Sequence, residues 1–280
     1  MTINTNKVAI IAFEEMVKKE YEATGFKLRD TLRTRMNVVG SQVKFPVLKG
    51  GIAMKKAVQD MVKPMNLDYN RPTATLENWT ASELTDIFSQ AEINFDEKRE
   101  VAGQVASAIG RRSDQIVIDA LVASGTTKAI AEGSAGMTYE KFIKAAELLD
   151  EDAVDITDRT LIISAAGARQ LLQEEEFISS DFITNRVLNN SSALDGQEVM
   201  GFKIKIIPNM VEGGLPDATN IVSCFAYQKQ SMGMGIGVDF RTDITYENLY
   251  TSWLINGVFK AGAIAVDPLG IVKIDIDKTK

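Results

Sequence analysis

Histidine is absent from all 280 residues of the sequence, and cysteine occurs once, as Cys224. Without an imidazole there is no Ser-His-Asp or Cys-His catalysis, no His-ligated zinc and no imidazole pH switch. One cysteine allows no internal disulfide and no CxxC metal or redox motif. It sits in the apolar run Ile221 to Tyr227, which reads as a buried strand with Cys224 as a small core residue. Long apolar runs are missing as well. Val8 to Phe13 gives only six residues before Glu14 and Glu15, short of the ~7–15 of a signal-peptide core. Nowhere do the ~18 apolar residues of a membrane span run together. No internal repeat and no low-complexity tract occurs. These absences fit a soluble, cytosolic chain with no membrane partner.

What is present is ordinary globular composition: 45% hydrophobic, 25% charged, mean hydropathy −0.04. A chain of this length buries roughly 75% of the surface its unfolded form exposes, as one large domain or two modest ones. Charge is uneven. The total is 31 basic against 38 acidic residues, net −7, but Met1 to Arg71 holds 13 basic and 7 acidic, net +6, leaving −13 for the rest. A basic front on an acidic body marks an interacting arm. It could bind nucleic acid, dock on the acidic body of a neighbouring copy, or be a solvated helix face. Aromatics are not interleaved with the basic residues as a stacking platform requires, which weakens the nucleic-acid reading.

Ile10, Phe13, Val17 and Tyr21 recur at helical spacing and predict a short amphipathic helix over Asn6 to Glu22, capped by Thr5 or Asn6 and ended by Gly25. Its narrow apolar stripe needs covering by something else. Val38-Val39 and Val43 to Leu48 look like strand, with Pro46 forcing an edge or bulge position and Gly50-Gly51 a turn beside Lys49, Lys55 and Lys56. The stretch to Asn70 has too few large apolar residues for its own core, so it should lie on another surface. A strand follows around Ala74 to Thr80. The strongest helix runs from Asp96 to Ser124, with Asn94 or Asp96 as cap, Val101, Val105, Ile109, Ile116, Ala120 and Leu121 as its stripe, and Gly103 and Gly110 softening it toward a bend. Tyr139 to Leu149 and Ala165 to Gln173 read as helices. Arg159 to Ser164, Glu198 to Ile207, Ile221 to Tyr227, Val238 to Phe259, Ile264 to Val266 and Ile271 to Ile276 read as strands. With no regular βαβ rhythm, the fold class is α+β.

Candidate chemistry is thin. Met232 to Gly237 has a GxGxG look, but its third glycine is mis-spaced for GxGxxG and a strand follows where a helix should. A hinge or bulge between sheet segments is the better reading. No P-loop occurs. Asp150 to Asp155 fails the EF-hand pattern because position 5 is Val154 and position 6 is Asp155; it and Glu174 to Glu176 read as charged surface. Paired carboxylates carry no information among 38 acidic residues. No catalytic residue, cofactor site or metal site is assigned.

The order of segments resembles the major capsid protein of tailed bacteriophages, with its HK97-like fold. The echoes are Phe45-Pro46-Val47 entering an extended loop, Ile109 to Leu121 on the long helix, Arg159 to Ser164 with Ala168 to Leu172, and Val199 to Ile204 with Ile207-Pro208-Asn209. Each is weak alone; their order carries the likeness over most of the chain. The resemblance implies an N-arm over 1–37, an E-loop over 38–72, a P-domain over 73–130 and 231–262 with its spine helix at about 96–124, and an A-domain over 131–230 and 263–280. It implies subunit contacts through Phe13, Arg29, Arg33, Arg35, Lys44, Phe45, Lys49, Lys55, Lys56, Arg111 and Arg112. It further implies assembly through hexamers and pentamers into an icosahedral virion shell around double-stranded DNA, built in the host bacterial cytoplasm. Portal and decoration proteins are the other expected partners. Many relatives carry a cleaved N-terminal scaffolding segment of ~100 residues; this sequence starts at the arm, so a separate scaffolding protein or prior processing is expected. Some relatives crosslink a loop lysine to an asparagine, for which no partner aligns here. An encapsulin-type cargo shell shares the fold, and a carboxylate- or lysine-dependent enzyme is the reading from a different class.

Overall fold

The computed structural model describes residues 25–49, 51–56, 58–59, 61–62, 64–65, 67–88, 97–174 and 194–280. The expected helix over Asn6 to Glu22, with Phe13, lies outside these residues, as does the Asn94 or Asp96 cap. The long helix, α1, runs unbroken over Glu97–Val122, about 39 Å at 1.5 Å per residue. Val105, Ile109, Val117, Ile118 and Leu121 are its buried stripe.

The helix lies on a four-stranded sheet ordered β1 (Arg33–Arg35), β13 (Met232–Glu247), β14 (Ser252–Ala265) and β6 (Glu77–Asp86). Chain reversal between Glu247 and Ser252 makes β13 and β14 one long antiparallel hairpin, paired from Met232–Ala265 to Glu247–Ser252. The residues from Ile264 are therefore the end of β14 and not a separate strand. Its register shifts between Ile236 and Val238 and again before Arg241, so a bulge does follow the glycine-rich run. The run itself is the buried start of β13, with a packing reason for its glycines. A Cβ on Gly233 would lie 2.9 Å from the Phe45 ring, and one on Gly235 2.4 Å from Val43. The missing side chains let the base of the 38–72 loop rest on the sheet.

A second sheet is ordered β7 (Ala129–Ile130), β15 (Ile271–Asp277), β12 (Ile221–Gln228), β8 (Arg159–Ser164), β10 (Phe202–Ile207) and β9 (Glu198–Val199), with β11 (Asp217–Ala218) beside the start of β12. All six residues of β8 are buried, as a central strand covered on both faces requires. Its parallel partner β10 is reached through the helix α3 (Ala165–Leu171). The other helix, α2, spans Tyr139–Glu151. The break between β9 and β10 falls at Met200 and Gly201, both at positive φ. Leu28, α1, both sheets and α2 contribute to one continuous core, in which Cys224 is fully buried and its thiol is pushed up to about 12 by burial.

The acidic Asp150–Asp155 stretch runs from the end of α2 into the loop before β8 and has internal partners. Asp150 Oδ1 accepts from Arg159 Nη2 at 2.6 Å, and Asp152 Oδ2 lies 2.6 Å from Lys128 Nζ. Nearby, the Lys141 ammonium donates to the carbonyls of Glu132, Ala135 and Asp275 at 2.7, 3.0 and 3.0 Å. Among the described residues no helix is long and apolar enough to cross a membrane, and no group of acidic or cysteine side chains could hold a metal.

Candidate assembly surfaces

Two features stand outside the ordinary business of a core. The first is the 38–72 loop. Pro46 splits the expected strand into β2 (Gln42–Lys44) and β3 (Val47–Lys49), which pair with β5 (Thr73–Thr75) and β4 (Asp68–Asn70). Val38-Val39 is not strand: Asn37 and Gly40 on either side take positive φ, and only Val38 N–H reaches the sheet, at Ile236 O. As expected, the loop base has no core of its own and lies on another surface. Val43, Phe45, Ala74, Leu76 and Val266 are buried together against the glycines of β13. Beyond it the described residues leave the apolar side chains largely open: Val39, Ile52, Val58 and Val62 are 79–97% exposed. Single exposed apolar residues are ordinary, but a contiguous apolar projection marks an interaction surface.

The second feature is the middle of α1, where about one and a half turns hold three other segments. Gly25, at φ +74°, crosses the helix so closely that a Cβ would lie 2.2 Å from the Gly110 carbonyl carbon. Phe26 N–H donates to Gly110 O at 3.3 Å. Asp114, 3% exposed, accepts Leu28 N–H on Oδ1 at 3.0 Å and Lys27 N–H on Oδ2 at 3.1 Å. Burial raises its pKa, opposed by those two N–H groups and by the charges of Lys27 and Lys205. The Lys27 ammonium turns to Ile206 O, 3.1 Å away. Thr31 Oγ1 donates to Leu28 O at 2.7 Å and lies 2.5 Å from the buried Tyr227 hydroxyl. With its one proton committed to a carbonyl, Thr31 accepts from Tyr227. On the same turn Gln115 Oε1 accepts Gly213 N–H at 2.9 Å. The Arg112 guanidinium stacks 3.6 Å over the Trp79 ring, with Nη1 3.7 Å from Glu212 Oε1.

The residues expected at subunit contacts therefore fall in three places. Arg29, Arg33 and Arg35 follow the arm root, where Arg29 pairs with Asp239 at 2.9 Å and Arg33 lies 5.8 Å over the Phe45 ring. Lys44, Lys55 and Lys56 are exposed on the loop, and Lys49 pairs in register with Asp68. Arg111 and Arg112 are half-buried at the α1 crossing. Phe45 departs from the expected surface position, being 1% exposed: residues 43–45 turn their apolar side chains onto glycines of their own sheet, and a partner would meet the loop around it. Arg112 is likewise engaged within its own chain. Asp114 escaped the sequence reading, although a carboxylate three, four and seven residues before Val117, Ile118 and Leu121 was the available signal.

The sequence profile described as phage capsid protein matches residues 5–278. No curated protein matches. Among solved structures, a head-structure chain of Helicobacter pylori bacteriophage KHP40 aligns with a TM-score of 0.68 at 12% identity, covering 88% of each chain. A capsid chain of the cyanophage P-SCSP1u gives 0.67 at 14% identity, over 90% of this chain and 88% of that one. A chain of Mycobacterium phage Che8 gives 0.65 at 17% identity, over 86% of each. These likenesses show the HK97-like capsid fold.

Proposed function

The chain belongs to the phage capsid protein family and is a structural major capsid protein, and from that premise we propose how it assembles. Residues 1–37 act as arm and 38–72 as extended loop, 73–130 with 231–262 as the P-domain, and 131–230 with 263–280 as the A-domain. Head-to-tail contacts, in which one face of a subunit meets a different face of the next, close into hexamers and pentamers. These close in turn into an icosahedral head around double-stranded DNA, formed in the bacterial cytoplasm with a scaffolding protein and a portal, and open to decoration proteins. It works without catalysis.

The observation that carries this reading is the apolar loop beyond Phe45. Val58 at 96% and Ile52 at 80% exposed have little cover among the described residues, while each would contribute about 1.5–3 kcal/mol on full burial. A neighbouring subunit can supply that cover. The basic front, net +6, then meets an acidic body, net −13, which sets register and partner choice.

Gel filtration followed by negative-stain electron microscopy tests the proposal. Closed shells or five- and six-fold rings are expected; a chain that stays monomeric with scaffold and crowding would refute it. Shell contents separate a genome container from a cargo shell of the same fold. Reversing Lys55 and Lys56 to Glu should impair ring or shell formation while leaving the monomer folded, and normal particles would sink the arm-to-body account.

A further inference from the structure

Resting on the shell reading, we infer that Asp114 is a positioning residue for assembly, fixing the direction in which the N-terminal arm leaves the body. The chain from Gly25 to Thr31 makes one short 3-10 turn, Arg29–Thr31, whose N-terminal side is not capped by its own Leu28 side chain. Asp114 performs that capping from 86 residues away: its two oxygens take the consecutive N–H groups of Lys27 and Leu28. Two acceptors on one rigid carboxylate define a plane and an orientation, where a single bond would leave the root free to pivot. Gly25 against Gly110 sets the height of the crossing, and Tyr227 through Thr31 sets its far end.

Geometry and not an ion pair holds this carboxylate. Among the described residues no salt bridge reaches it, the Lys27 ammonium being spent on Ile206 O. Burial raises its pKa despite the two N–H groups, so ionised Asp114 is less comfortable here than in an unfolded chain. An apolar residue in the same space would leave both N–H groups unpaired. The carboxylate satisfies the two together and so fixes the geometry of the chain at Lys27 and Leu28. The same helical turn grips the loop at Gly213 through Gln115, so arm direction is referred to both sheets at once.

The test is Asp114→Asn in the full chain. Its amide retains one acceptor and sets an N–H against one of the two backbone donors. Amide hydrogen exchange at Lys27 and Leu28 should accelerate roughly tenfold or more, as expected for losing a hydrogen bond to a charged group. The thermal midpoint should move little, and shells should become aberrant in size or shape, or stall at rings. Thr31→Val removes the ties of Oγ1 to Tyr227 and to Leu28 O while leaving Asp114 in place, and should give the same signature more weakly, so the inference stays testable if the asparagine variant does not fold. Normal shells from Asp114→Asn with accelerated exchange would overturn it, as would a large drop in thermal midpoint with normal shells, which marks a merely structural role. Failure of the unmodified chain to assemble would instead strike the shell reading itself.

Discussion

Replacing Phe45 by alanine separates the loop base from the rest of the fold. The ring is 1% exposed, faces Gly233, and is the largest of five buried residues in its cluster, the others being Val43, Ala74, Leu76 and Val266. Truncating a buried phenylalanine costs about 3–5 kcal/mol. Loss of the Arg33 guanidinium 5.8 Å over the ring adds about 0.5–1 kcal/mol. The remaining cluster has three sizeable apolar side chains, Val43, Leu76 and Val266, each worth about 1.5–3 kcal/mol, and ladders of three residue pairs. The loss is therefore a large share of what holds the base down. The base should open while the main core stays intact. Hydrogen exchange reads this directly at Phe45 N–H, bonded to Pro72 O, and Leu76 N–H, bonded to Ser41 O. At about 1.4 kcal/mol per tenfold, 3 kcal/mol accelerates both by roughly a hundredfold or more, with β8 and β12 amides unchanged. Shell formation should fail because the loop no longer projects in one direction. Unchanged exchange at those two amides would refute the reasoning, and so would cooperative loss of β8 and β12 protection.

Trp79→Phe should leave the monomer as stable or stabilise it by about 1 kcal/mol, because the indole Nε1 is buried without a hydrogen-bond partner while the ring under Arg112 is retained; a clear drop in thermal midpoint would show that the N–H is satisfied after all. Cys224 should resist thiol reagents at pH 8 in the native state, its thiol buried and pushed up to about 12, and label only as fast as the chain unfolds; rapid native labelling would contradict that burial. The Arg29 hydrogen bond holds the Asp239 carboxyl below its usual range. The sign follows: a depressed carboxylate contributes stability above its unfolded pKa of 3.8 and loses it as pH falls through the folded value. Acid titration of the native chain should thus release the Arg29 contact below about pH 4, and Asp239→Asn should abolish that step at a cost of no more than about 1 kcal/mol, since the pair is partly exposed. Titration curves identical with and without Asp239 would refute it.

Most elements were legible because their physics is local. Arg159–Ser164 is an apolar run bounded by charge, and the structure returns the same bounds. The long helix announces itself by stripe and first-turn acids; its expected start at Asp96 lies outside the described residues, and its end differs by two residues. Three features were not legible, each for a non-local reason. Met232 to Gly237 read as a hinge or bulge, and a bulge is there, but glycine read as conformational freedom hides that Gly233 and Gly235 are small for the sake of Phe45 and Val43, 188 and 192 residues earlier. Phe45 was expected at a subunit contact by the resemblance alone, and its cover lies far off in sequence on β13. Asp114 drew no notice because its donors are two backbone amides 86 and 87 residues away.

These three share a direction. In each, a residue of the first 45 that has no local core finds its complement on the long helix or the long hairpin, and the complement is a small or geometrically exact group in place of a large apolar one. The body thus holds the roots of arm and loop by shape, at Gly25 on Gly110, Phe45 on Gly233 and the Lys27–Leu28 amides on Asp114, and leaves the large apolar side chains farther out uncovered. A chain meant to fold alone would invest the other way, burying Ile52 and Val58 and leaving the roots loose. Fixed roots with uncovered ends limit the conformations the projections can take before a neighbour is met, which lowers the entropy lost when the contact forms.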